Sequence, residues 1–148
     1  TLLLLLNTVY FLHQYFIHAK VYRPWYRYNG FKEMILTVKK SYDTYDKIVI
    51  TKSMGGIYPL IQFYMQYDPG VYQEEGSPKD REYMGFGKFF FVSFDCPSLE
   101  KSKKLPEADR IIYVNRGSCK SDTRYRETVI LREDGTEAFR VVYRKEQY

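Results

Sequence analysis

The sequence holds 148 residues, with 23 Lys and Arg against 18 Asp and Glu and a formal charge of +5. That length gives one ordinary domain, and 16 Tyr with 10 Phe exclude a disordered chain, because so many rings supply the apolar surface that disorder lacks. The basic residues are scattered and match no nucleic-acid-binding module, so nucleic acid is not an expected partner; the excess suits a solvated surface or attraction to anionic lipid headgroups.

The chain runs at once into Leu2 to Leu6, and apolar character resumes after Asn7 and Thr8 through Val9 to Leu12 and Tyr15 to Ile17. This reads as the end of a transmembrane helix over residues 1–19, cut inside its hydrophobic segment: about 20 apolar residues span a bilayer and about 17 are present. Tyr10, Tyr15 and His18 suit the interfacial belt. The alternatives are an amphipathic helix docked on the domain or a signal-peptide core, although Gln14 to Val21 offers no small-residue cleavage site.

Residues 20–148 form the folded domain. After the aromatic cluster Trp25, Tyr26 and Tyr28 and a turn at Asn29-Gly30, Phe31, Met34, Ile35 and Val38 have the i, i+3, i+4, i+7 spacing of one buried helical face. Ile48-Val49-Ile50 follows as a β-branched run without alternation, which marks a strand covered on both faces. Thr51 to Gly56 then forms a loop at the carboxyl end of that strand, ahead of a second helix over Tyr58 to Tyr67. Asp68-Pro69-Gly70 stops the helix, and Val71 to Gly87 is a long polar loop. Lys88 to Phe94 and Arg110 to Asn115 are further strands, separated by a charged loop at 97–109. Thr128 to Leu131 and Ala138 to Tyr143 flank Glu133-Asp134-Gly135-Thr136, the hairpin signal with which the domain closes. The expected fold is a mixed-sheet α/β sandwich of five strands with a C-terminal antiparallel hairpin.

Chemistry is sparse. The only histidines are His13 and His18, outside the folded part, which removes Ser-His-Asp and Cys-His arrangements and leaves too few ligands for a Cys/His metal site. Asp43 with Asp46 and Glu74 with Glu75 read as solvated turn residues. Gly55-Gly56 and Gly85-Phe86-Gly87 lack the remainder of any phosphate-binding motif. Cys96 and Cys119 are either one disulfide formed outside the cytoplasm or two unrelated small buried residues. One binding site stays open on these grounds: Lys52, Ser53 and Tyr58, at the sheet edge and helix start that ligands favour in α/β folds.

In order, the leucine-rich helix ending at His18, then Trp25 and Tyr28, Gly30-Phe31-Lys32-Glu33 and Tyr45-Asp46-Lys47-Ile48-Val49-Ile50-Thr51 form a series. It continues through Tyr64-Met65-Gln66-Tyr67-Asp68-Pro69, Tyr72-Gln73, Asp134-Gly135-Thr136 and Phe139-Arg140-Val141-Val142. This series resembles the C-terminal extracytoplasmic domain of bacterial polytopic membrane glycosyltransferases of the dolichyl-phosphate-mannose protein mannosyltransferase and aminoarabinose transferase type.

The resemblance implies an enzyme of the cell membrane that moves a sugar from a polyprenyl-phosphate donor to an acceptor on the outer face. The family's acidic catalytic residue lies in an early loop outside this chain, so no catalytic residue, cofactor or metal is carried over. The implied partners are membrane lipid, the transmembrane part of the same protein, and the polyprenyl-phosphate sugar or its acceptor. Trp25, Tyr26 and Tyr28 would contact ligand or form an aromatic plug between domain and helix. Lys20, Arg23, Arg27 and Lys32 would by the positive-inside rule alone place this flank in the cytoplasm, opposite to what the resemblance implies. Two other readings are a singly anchored binding or scaffold module and a soluble α/β enzyme with a pocket at the Lys52 to Tyr58 edge.

Overall fold

The computed structural model describes residues 1–22, 28–53, 55–75, 85–101, 105–121 and 123–145. In chain order its elements are α1 (Leu2–His13), a π-helical continuation over Gln14–His18, α2 (Ala19–Tyr22), α3 (Phe31–Lys39), β1 (Lys47–Thr51), α4 (Ile57–Met65), α5 (Pro69–Glu74), β2 (Gly85–Phe86), β3 (Phe89–Val92), a 3-10 turn at Pro97–Leu99, β4 (Arg110–Arg116), β5 (Arg126–Leu131) and β6 (Glu137–Lys145). The strands form one six-stranded sheet in the order β2-β3-β1-β4-β6-β5. β1 lies parallel to β3 on one side and to β4 on the other, whereas the β2–β3, β4–β6 and β5–β6 pairs are antiparallel. This is the mixed-sheet α/β fold with a C-terminal hairpin that the residue pattern implies.

β1 shows why its run has no alternation. Ile48 and Ile50 join the core beneath the helices, while Val49 faces a second cluster on the opposite side of the sheet. Phe31, Met34, Ile35 and Val38 of α3 are all buried in the first cluster, and removing each from water contributes about 1.5–3 kcal/mol. The Phe31 ring meets Phe139 of β6 edge-on at 4.8 Å, which ties the helix to the C-terminal hairpin. Phe86, Phe89 and Phe91 fill the other end of the same layer.

Among the described residues no α-helix covers the second face. Val49, Val92, Ile111, Tyr113 and Val142 are covered by Phe94, Leu105 and Ala108 from the segment between β3 and β4, together with Phe90 and Tyr125. Cys96, at the start of that segment, is bonded to Cys119 in the turn after β4. The bond closes a sequence separation of 23 residues, and constraining a loop of that size removes about 3 kcal/mol of unfolded-chain entropy on the chain-entropy account. A loop with little secondary structure thus does the covering that a helix does on the other face.

Two elements depart from the expected pattern. Asp68-Pro69-Gly70, read as a helix stop, starts α5: the Asp68 carboxylate accepts from the Gly70 and Val71 amides, and Pro69 supplies the fixed φ of a first helical position. The preceding stop comes at Gln66, in left-handed conformation. Gly85-Phe86, assigned to the long loop, pairs with β3 as a sixth strand, too short for any periodicity to reveal.

α1 and its π-helical continuation bury no residue, and their apolar side chains are exposed around the whole circumference, with Leu3 at 83% and Leu5 at 61%. Among the described residues no helix is long and apolar enough to cross a membrane.

Among the described glycines the tightest approach is at Gly117, where an added Cβ would stand 2.1 Å from the Glu137 carbonyl oxygen. Neither partner is a flexible side chain, so Gly117→Ala must displace the β4 turn from β6. We expect it to cost about 2–3 kcal/mol, read as a lowered urea midpoint at unchanged m-value.

Candidate functional site

Both crossovers of the parallel strands leave from the carboxyl edge of the sheet, β1 to β3 on one side and β3 to β4 on the other side of β1. Such a switch of direction opens the crevice in which α/β folds bind ligands. Here the protein's own side chains meet at that edge, with Ser53 and Arg116 exposed. The Ser53 hydroxyl lies 3.0 Å from the Thr51 hydroxyl and near enough to the Asp95 carboxylate to help lower its pKa. Arg116, from the end of β4, pairs with the same carboxylate at 3.3 Å, and its backbone amide donates to the Asp95 carbonyl. Beside it, fully buried Asn115 accepts from the Ser98 amide at 3.0 Å and donates to the Ser98 hydroxyl at 2.6 Å. Asn115 therefore pins the 3-10 turn, and the disulfide holds the same segment from its other side.

The sequence-derived site residues fall around this plug in different ways. Ser53 is part of it. Lys52 donates its backbone amide to the Val92 carbonyl at 2.8 Å, which extends the β1–β3 ladder, and its side chain is half-buried. Tyr58 turns into the helical layer, where its ring packs 4.3 Å from Phe91; burial, followed by the neighbouring Tyr72, raises its pKa. Its buried hydroxyl has no hydrogen-bond partner among the described residues.

Tyr28 lies beside this edge. It adopts a left-handed φ of 51°, meets Phe31 edge-on at 5.2 Å, and lays its hydroxyl over Gly56, where an added Cβ would come within 2.6 Å of it. Tyr28 and the start of α4 are thus brought together, and glycine at 56 is what lets the ring approach. Trp25 lies outside the described residues.

Three clefts stand out among the described residues, one of them reaching Ser98. One, of about 300 Å³, runs beside Tyr28, Lys32, Leu60 and Glu133. The other two, of about 640 and 750 Å³, share Arg124, Tyr125 and Arg144 at the opposite end of the sheet. Neither Lys52, Ser53 nor Tyr58 lines any of the three. The residues missed from sequence are therefore Asp95, Asn115 and Arg116 in the plug, and the basic residues of the far clefts. The latter had a signal: Arg124-Tyr125-Arg126 and Tyr143-Arg144-Lys145 each interleave cations with rings.

No protein-family profile, curated protein or solved structure gives a match to this chain.

The plug carries a pH dependence. The Ser53 hydrogen bond, then Arg116, hold the Asp95 carboxyl below its ordinary value. A carboxylate whose folded pKa is depressed stabilises the fold above the unfolded value, about 4, and that contribution disappears as pH falls through the lower folded value. Asp95→Asn should therefore lower the urea midpoint at neutral pH, and the gap to the wild-type protein should close as pH falls from about 4 to about 2. A gap independent of pH would mean that the carboxylate charge is not what Ser53 and Arg116 stabilise.

Proposed function

We propose that this chain is the non-catalytic, extracytoplasmic C-terminal domain of a membrane glycosyltransferase, one that transfers a sugar from a polyprenyl-phosphate donor to an acceptor. The observation that carries the membrane part is α1, an apolar helix that buries none of its residues among the described ones. In water such a surface is strongly unfavourable, at about 25 cal/mol per Å² of apolar area. In lipid it is the ordinary state of a helix, since a helix apolar all round belongs in a core or a bilayer. The Cys96–Cys119 bond supports the extracytoplasmic side, because structural disulfides persist in oxidising compartments and are rare in reducing ones.

The glycosyltransferase assignment rests on the order of motifs from Trp25 to Val142. The non-catalytic role is supported by the engaged edge: of the groups nearest the switch point, the Asp95 carboxylate pairs with the Arg116 guanidinium and is stabilised by the Ser53 hydroxyl. In this reading Tyr28, packed between Phe31 and the start of α4, holds the domain in a fixed attitude to the helix. A singly anchored binding module shares the membrane and disulfide observations and differs in what precedes Thr1.

The native gene, expressed with a C-terminal tag, separates these readings. We expect the product to resist alkaline carbonate extraction. After reduction, its Cys96 and Cys119 should react with a membrane-impermeant maleimide added from outside, and removal of residues 28–145 should abolish transfer from a polyprenyl-phosphate sugar. Release by carbonate would remove the membrane placement. A gene encoding a single hydrophobic span would replace the glycosyltransferase by the anchored module.

A further inference from the structure

α3 and α4 run in the same direction away from the point where the chain enters the domain. Tyr28 lies over Gly56 at their starts, and near their ends Lys39 donates to the Tyr64 carbonyl at 3.2 Å and to Gln66 at 3.4 Å. Between them is the cleft of about 300 Å³, lined by Tyr28, Lys32, Leu60 and Tyr64 with Glu33 and Glu133. Its rims are apolar. Leu36 stands one turn beyond Lys32 on α3, and Phe63 one turn beyond Leu60 on α4. Phe63 is 73% exposed, more than any other large apolar side chain among the described residues after Tyr22, while Tyr28 is 45% and Leu36 38% exposed. The inward side of α4 is already filled by Ile57 and Ile61, so Phe63, edge-on to Tyr64 at 5.1 Å, is surplus to the core.

Three observations say what covers this face. The first is reach. Only five residues separate Tyr22 from Tyr28, so α2 ends within about 22 Å of Tyr28 even at full extension, and Phe63 lies about 9 Å along α4 from Ile57. The second is charge. Residues 20–40 hold six Lys and Arg against the single acid Glu33, and Lys32 and Lys40 flank Leu36 on one stripe of α3. The third is area. Phe63, Tyr28 and Leu36 leave on the order of 300 Å² open, with a whole ring at about 200 Å², whereas each partner of a stable protein complex buries about 800 Å². A small patch suffices where a tether already holds the domain beside its target.

We propose that the α3–α4 face is a foot resting on the bilayer that carries α1, with Phe63, Leu36 and Tyr28 set among the headgroups and Lys32 and Lys40 on anionic lipid. Aromatic rings and lysines settle at this boundary, apolar body toward the acyl chains and polar end in water. The foot rests on the membrane placement above and is independent of the glycosyltransferase assignment. It adds the domain's attitude: the helical layer faces lipid, and the face covered by the loop that Cys96 and Cys119 secure faces away.

The test is photo-cross-linking of the native gene product in its own membrane, with p-benzoylphenylalanine in place of Phe63 or, as the control, of Glu107, exposed on the loop over the opposite face. Both positions are exposed, and equal thermal midpoints would show that folding is unchanged. Irradiation should attach phospholipid at 63 at least about tenfold more than at 107, read by mass spectrometry of the labelled peptide. In vesicles of phosphatidylcholine with about one-third phosphatidylglycerol the yield at 63 should exceed that in pure phosphatidylcholine at least about threefold, and Lys32→Ala with Lys40→Ala should remove the difference. Lipid attachment at 63 no greater than at 107, attachment to protein in its place, whether a second copy or another segment of the product, or a yield indifferent to lipid charge would each overturn the proposal. Carbonate extraction of the same membranes separates the failures: a product retained but not joined to lipid at 63 removes the foot alone, whereas a released one removes the membrane placement with it.

Discussion

The covering of β1 and β4 on both faces is the constraint on which the rest of the structure depends. Strands in a parallel pair cannot be joined by a tight turn, so each crossover must leave the sheet and return, and what it carries with it becomes the cover. The β1-to-β3 connection brings α4 and α5 to one face; the described part of the β3-to-β4 connection brings a 3-10 turn and a charged loop to the other. A loop buries less apolar surface than a helix, and its own peptide groups need partners. Asn115 and the disulfide supply what is missing. One satisfies the turn's amide and hydroxyl from inside the sheet, and the other removes the freedom that would let the loop detach.

Much of this was legible in the residue pattern. α3 and its four buried positions follow from helical spacing, β1 from its unbroken β-branched run, and the final hairpin from Asp134-Gly135 between apolar segments. Each is a local signal, repeated over enough residues to stand out. What stayed hidden depended on partners distant in sequence. β2 is two residues long and exists only because β3 lies beside it. The plug joins residue 53 to 95 and 116, and 98 to 115, and nothing in any one of those stretches points to another. Asp68-Pro69 has the same letters whether it stops one helix or starts the next, and the left-handed Gln66 just before it decides the case.

The Lys52, Ser53 and Tyr58 site illustrates a second limit. Its position at the carboxyl edge of a parallel strand, before a helix start, was read correctly, yet position gives only the opportunity for a ligand. Whether the opportunity remains depends on which side chains reach the crevice first. Here Asp95 reaches Ser53, and Arg116 pairs with Asp95 from the end of β4.

The two ends of the sheet therefore differ in kind. At the carboxyl edge, hydroxyl, carboxylate, amide and guanidinium groups are matched to one another, and the chain from α1 joins there through Tyr28, Asn29 and Phe31. At the opposite end, Arg124, Arg126 and Lys145 lie over tyrosine faces, contacts that contribute about 0.5–1 kcal/mol each when exposed. A group bound by matched hydrogen bonds resists exchange for a ligand, because the incoming molecule must replace every bond it breaks. β6 runs from one end of the sheet to the other and couples them through a single strand paired on both sides.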